Sequence, residues 1–161
     1  MAIDKIQSES INLADTFAFS GTVTGAGGVN TPFWDSRHTS NQSISHDSYT
    51  KLLFPDEVID TASAFDATNS KFVVPSGQAG KYFISISYEM EVQTNPTYAY
   101  IYINGSASNR RFKMSSYSNR LAMVVSLSVG DYVEGYTYQA SGGSVNALAN
   151  RQIFQGFKII E

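Results

Sequence analysis

The sequence predicts an all-β fold, a jelly-roll β-sandwich of about ten antiparallel strands with an extended N-terminal arm. Three observations carry that expectation. The stretch KYFISISYEMEV alternates strictly, with Tyr82, Ile84, Ile86, Tyr88, Met90 and Val92 on one face and Ser85, Ser87, Glu89 and Glu91 on the other. Such alternation marks an antiparallel strand with one face in a core. Turn residues punctuate the chain at strand-length intervals, and no apolar period of about 3.6 residues runs far enough for a helix. The closing stretch QIFQGFKII is apolar on both faces, with Ile153, Phe157 and Ile159 on one and Phe154 and Ile160 on the other. A strand of that kind sits in the middle of a sheet or at an interface.

Composition narrows the function. At 161 residues the chain has room for one domain with a short appendage. Charged residues make up only 16%, against about a quarter in ordinary soluble domains. Burial of surface in an oligomer accounts for that deficit. Ten Tyr and ten Phe beside one Trp lean toward β-structure. The net charge of -3 and a pI near 5.3 argue against a nucleic-acid partner. The absence of cysteine fits folding in a reducing cytoplasm. No apolar run is long enough for a membrane span. The start MAIDKIQSESINLADTFAFSG lacks the basic end and apolar centre of a signal peptide. The expectation is synthesis in a cytoplasm, no membrane, and no export by the usual route.

Residues 1–30 read as an extended attachment arm with a Gly-rich joint, and 31–161 as the jelly-roll domain. The arm is polar up to Asp15, carries Phe17 and Phe19 on one face of an extended segment, and ends in the joint from Gly21 to Gly28. Ile6, Ile11, Leu13, Phe17 and Phe19 are its candidate attachment residues. PFWDSRHTSNQSIS follows as a first irregular strand pair, with Trp34 in the core or against a neighbouring subunit. KLLF is a short buried strand closed by Pro55, and PDEVIDTASAFDATNS a turn-rich acidic stretch. KFVVPSGQAGKY gives a strand, a Pro/Gly turn and the entry to the long alternating strand. In TYAYIYIN, Ala99, Ile101 and Ile103 oppose a ladder of Tyr98, Tyr100 and Tyr102. Asn104–Gly105 is a turn signal. RLAMVVSLS turns Leu121, Met123, Val125 and Leu127 inward, and DYVEGYTY sets Tyr132, Glu134, Tyr136 and Tyr138 against Val133, Gly135 and Thr137.

Several of these residues form an ordered pattern: Phe65, then Phe72, Pro75, Gly80, Tyr82 and Phe83, then Asn104–Gly105, Leu127–Ser128–Val129–Gly130–Asp131, and Phe154–Gln155–Gly156–Phe157. From about Phe33 to Ile160 the chain therefore resembles the complement C1q-like globular head, a relative of the tumour necrosis factor fold. It departs from that pattern in its first strand and in the loop from Ser106 to Asn119. The resemblance implies a ten-stranded jelly roll in a compact homotrimer, with a binding or structural role and no catalysis. Some members hold calcium near the trimer apex, but no matching ligand set can be placed on this chain. The segment IQSESINLADTFAFSGTVTGAGG, from Ile6 to Gly28, is similar to the N-terminal segment of marine bacteriophage virion structural proteins.

Catalysis and metal binding find little support in the residues. His38 and His46 are the only histidines and stand near no nucleophile motif. Glu89 and Glu91 would sit about 7 Å apart on one strand face, within reach of an inverting glycosidase pair. Their serine neighbours suit a face turned to water better. Asp56, Glu57, Asp60 and Asp66 offer hard oxygen ligands without the spacing of a calcium loop. Arg110, Arg111 and Lys113, with Arg120 nearby in sequence, form a candidate contact with an acidic capsid surface or glycan. Tyr98, Tyr100 and Tyr102, with Phe154 and Phe157, are the candidate subunit interface.

The expected protein is a non-enzymatic phage virion component without a cofactor. It is a trimeric jelly roll displayed on the particle surface as capsid decoration or a head fibre, after assembly in the host cytoplasm. The alternative is the receptor- or carbohydrate-binding tip of a tail fibre, with specificity in the loop from Gln139 to Asn150. Expected partners are the chain itself, other virion proteins and, for the alternative, a host glycan or receptor.

Overall fold

The computed structural model describes residues 30–93, 95–114 and 117–159, the side chains of 110 and 114 excepted. The arm residues Ile6, Ile11, Leu13, Phe17 and Phe19 lie outside this range. The described residues form thirteen strands: β1 Phe33–His38, β2 Gln42–Ile44, β3 Ser48–Lys51, β4 Asp56–Asp60, β5 Phe65–Asp66, β6 Lys71–Val73, β7 Gly80–Glu89, β8 Thr97–Ile103, β9 Ser106–Met114, β10 Ser118–Leu127, β11 Tyr132–Gln139, β12 Val145–Ala147 and β13 Gln152–Lys158. Ten of them form two five-stranded sheets, ordered β10-β7-β13-β1-β4 and β5-β6-β11-β8-β9, with β12 and β2 pairing apart. The strand ladders are antiparallel. This is the predicted jelly roll.

The long alternating strand is β7, and Tyr82, Ile84, Ile86 and Tyr88 are buried in the core. Val92 departs from the expected row, because the ladder ends at Glu89 and leaves it 44% exposed. β13 lies between β7 and β1 in the middle of the first sheet, the place its two-sided apolar character requires. Three expectations are corrected. β1 and β2 do not pair with each other, since β1 bonds to β13 and β4, and β2 to β12. The acidic stretch after Pro55 holds the edge strand β4, whose Val58 and Ile59 are exposed and so give no burial alternation. In KLLF, Leu52 and Phe54 are buried and Leu53 is not, but only Lys51 belongs to a strand. There the backbone bonds irregularly instead, Leu52 N–H donating to the Gly135 carbonyl at 2.9 Å and Phe54 N–H to Ser70 Oγ at 2.8 Å.

The two sheets meet over aromatic rings. Trp34 of β1 stacks on Phe72 of the opposite sheet, with centroids 3.9 Å apart and planes 7° off parallel. Its edge meets Phe154, which also touches Phe54 and Phe65. Trp34 stands opposite Gly156 in the ladder, and a β-carbon at Gly156 would lie 2.3 Å from the indole and 2.7 Å from the Phe83 carbonyl oxygen. The glycine is therefore a space requirement. Gly156→Ala is expected to lower unfolding free energy by about 1–3 kcal/mol, the usual cost of overpacking a tight core, as read from urea denaturation with unchanged m.

The turns at one end of the sandwich are bonded to each other. Asn104 and Gly105 both have positive φ, 52° and 75°, as a tight hairpin demands. The Asn104 amide donates to Asp131 Oδ1 at 2.8 Å, and Asn104 Oδ1 accepts from Tyr132 N–H at 2.9 Å. Asp131 Oδ2 accepts from Ser128 N–H at 2.7 Å, and Val74 N–H donates to the Asp131 carbonyl at 2.8 Å. Lys158 reaches the same end, its backbone N–H donating to the Pro32 carbonyl at 3.0 Å. The first and last strands therefore begin and finish side by side. The bonds from Asn104 and Ser128 hold the Asp131 carboxyl below its ordinary 3.8. A carboxylate depressed in the folded state stabilises above its unfolded pKa, and that contribution is lost as pH falls through the folded value. Stability should fall on acidification below about pH 4, and by a smaller amount in Asp131→Asn, as thermal melts at pH 6 and pH 3 would show.

Candidate functional site

The Tyr ladder and the basic patch, apart in the sequence, lie on one surface. On the outer face of the second sheet, Tyr138, Tyr98 and Lys113 are neighbours across β11, β8 and β9, and Tyr136, Tyr100 and Arg111 form the next row. Tyr49 lies over this face, 5.3 Å from Tyr100 and 5.2 Å from Tyr138 between centroids. Tyr102 and Tyr136 stack at 3.9 Å, and Tyr98 contacts both Tyr100 and Tyr138. The Arg111 guanidinium sits 5.1 Å from the Tyr98 ring centre and bonds to the Tyr100 phenol, a cation–π arrangement. Tyr49 is 54% exposed and Tyr100 only 5%, so the cluster has a buried floor and an open top.

Polar contacts fix the rest of this face. Lys51 Nζ meets Glu134 Oε1 at 2.5 Å, and the Lys71 ammonium lies 5.1 Å above the Tyr132 ring. The Tyr138 hydroxyl donates to the Asp47 carboxylate. Burial pushes the phenols of Tyr100, Tyr102 and Tyr136 above their usual range. They therefore stay neutral donors at any ordinary pH.

The outer face of the first sheet differs. One ladder row runs Phe33, Phe157, Phe83, Val124 across β1, β13, β7 and β10. Phe83 and Phe157 stack at 5.3 Å, and Val124 is 44% exposed. The row below holds Asp35, Gln155, Ser85 and Ala122. A row of apolar side chains on the outside of a sandwich is unusual for an antiparallel sheet whose outer face meets water.

The remaining candidate residues are placed as follows. Phe157 is on the outer face just described, but Phe154 is 0% exposed within its own chain. Phe154 therefore has no surface to give a subunit interface, and that assignment is corrected. Arg120 is on the first sheet, its Nε bonded to Ser85 Oγ at 3.4 Å, away from Arg111 and Lys113. The side chain of Arg110 lies outside the described residues. Glu89 lies 3.8 Å from Arg151, whereas Glu91 accepts from the Asn146 backbone at 2.7 Å and its amide at 3.0 Å. These two carboxylates serve different partners. His46 Nδ1 accepts from Gly142 N–H at 3.1 Å. Asp56 binds Thr39, Asp60 the backbone of Ala62 and Phe65, and Asp66 the turn at Asn69. They close separate turns, and among the described residues no group of three or more His, Asp or Glu could hold a metal.

Sequence reasoning missed Tyr49, Tyr136 and Tyr138 on the tyrosine face, and Phe33, Phe83 and Val124 on the other. Alternation in DYVEGYTY marks Tyr136 and Tyr138 as outward, a signal that was available. No local pattern reveals Tyr49, since only the fold carries β3 to β11.

No family model matches the sequence, and no curated protein is similar to it. Solved structures do match. The globular domain of zebrafish complement 1qA is 15% identical with a TM-score of 0.55, covering 81% of this chain and 99% of that one. Murine APRIL is 15% identical with a TM-score of 0.58, covering 79% and 99%. The PRD1 vertex protein P5 is 16% identical with a TM-score of 0.62, covering 83% and 100%. The chain has the C1q and tumour necrosis factor type of jelly roll.

Proposed function

We propose that this chain is a non-enzymatic structural protein of a phage virion, a homotrimeric jelly roll displayed on the particle surface as capsid decoration or a head fibre. The observation that carries this reading is the likeness to the PRD1 vertex protein P5, all of which is matched by 83% of this chain. The arm's resemblance to marine phage virion proteins supports the same reading, as does the low charged fraction of 16%.

In place of the candidates Tyr98, Tyr100 and Tyr102, which lie on the second sheet, we assign subunit contacts to Phe157 and the outer face of the first sheet. Its apolar row of Phe33, Phe157, Phe83 and Val124 gains by leaving water, at about 25 cal/mol for each Å² buried. Pro32 lies at the bonded-turn end of the sandwich, and we place particle attachment on the arm that precedes it. A tail-fibre tip that binds carbohydrate or a receptor is the second reading, favoured by the tyrosine and cation surface on the other sheet.

Light scattering of the isolated protein should give the mass of three chains, and a monodisperse monomer would sink the interface assignment. Phe83→Glu puts a charge in the centre of the apolar row while leaving the core untouched. It should shift the protein to monomers at micromolar concentration with its circular dichroism retained. Deleting residues 2–28 should leave the trimer intact and abolish incorporation into particles, and continued incorporation would refute the arm as anchor.

A further inference from the structure

The geometry points to the outer face of the second sheet as a binding site for an acidic polysaccharide, with Tyr49 under the sugar rings and Arg111 and Lys113 on their carboxylates. Three features of that face argue for it together.

The first is charge. The chain as a whole carries -3, yet Arg111 and Lys113 stand in register with Tyr100 and Tyr98, and neither tyrosine row contains a carboxylate. The Arg111 guanidinium lies against the Tyr98 ring and bonds to the Tyr100 phenol. Two carboxylates reach the far side of the face from Arg111 and Lys113, Glu134 opposite Tyr102 and Asp47 at the Tyr138 hydroxyl, and Glu134 is offset by Lys51. The β8–β9 corner is thus locally cationic, which complements a polyanion.

The second is the kind of surface. Phenol rings offer an apolar body with a hydroxyl at the tip, suited to a partner that shows C–H faces and hydroxyls in alternation. Tyr49, at 54% exposure, is the open ring, resting on Tyr100 edge to face and on Tyr138 at a tilt, while Tyr102 and Tyr136 stack on each other beside them. Rings already packed against one another lose little freedom on binding. A single-stranded nucleic acid needs several open ring faces for its bases. Here Tyr102 and Tyr136 cover each other and Arg111 covers Tyr98, so sugar is favoured over bases.

The third is access. This inference rests on the proposed interface only in needing the second sheet's outer face free in the trimer, as assignment of contacts to the first sheet leaves it.

The test uses the full chain with polygalacturonate, its fully methyl-esterified neutral form, poly-dT and polyglutamate, in affinity electrophoresis at two salt concentrations. Polygalacturonate should bind and its neutral ester should not, with binding weakened by salt. Arg111→Ala with Lys113→Ala should reduce affinity roughly tenfold or more, equivalent to about 1.4 kcal/mol. Tyr49→Ala keeps every charge and should cost about tenfold for polygalacturonate, leaving any weak binding of polyglutamate unchanged. No binding of polygalacturonate, equal binding of the neutral ester, or tighter binding of poly-dT or polyglutamate overturns the proposal, as does indifference to either variant. Light scattering on the same samples keeps the two assignments apart: a trimer that ignores polygalacturonate fails only the glycan site, and a monomer that binds it fails only the interface.

Discussion

The sandwich turns on the contact between Trp34 and Gly156. An indole laid across a neighbouring strand can reach the opposite sheet only if that strand offers no side chain beneath it. With the space clear, Trp34 stacks on Phe72 and joins the sheets through one ring pair. Phe154, two residues from the glycine, is then aimed inward to complete the aromatic centre. Phe157, three residues beyond Phe154, must point outward by the period of two along a strand. One small residue thus sets both the core and the character of the outer face.

Polar groups are drawn into that core where the sheet arrangement requires them. Tyr88 bonds to Thr137 at 2.8 Å across the two sheets, deep inside. Gln139 donates to the carbonyls of Ile44 and Gly143 and accepts from Ser141 N–H, tying the end of β2 to the loop before β12. Such buried bonds contribute modest net stability but strongly penalise any other register.

Much of this was legible in the residues. Alternation exposed β7, β8, β10 and β11 because each has one wet or interfacial face and one dry face. Turn chemistry located the hairpins, since Asn104 and Gly105 take up backbone angles few residues accept. Other elements were hidden for physical reasons. β4 lies at a sheet edge with its middle residues exposed, so burial leaves no imprint on its composition. Its aspartates serve the adjoining turns, which made the stretch read as loop. Phe154 and Phe157 looked equivalent because the sequence shows two aromatic residues and not which side of the strand is dry. The tyrosine face is assembled from β3, β8, β9 and β11, and proximity of that kind has no local signature. Tyr98 and Arg111 each stand out in the sequence, but their contact does not.

The interlocked turns give the domain a polarity. At one end Asn104, Asp131 and Val74 bind one another, and Pro32 and Lys158 lie there too. The turn of Ser141, Gly142 and Gly143 is exposed, with Gly142 at a φ of 94° and the backbone held from beneath by Gln139 and His46. Mutational drift is therefore unequally tolerated. Substitutions near Asp131 disturb several backbones at once, while a side chain added at Gly143 meets open space. A lineage could vary what it displays at Gly143 without renegotiating how the turns at Asp131 are held.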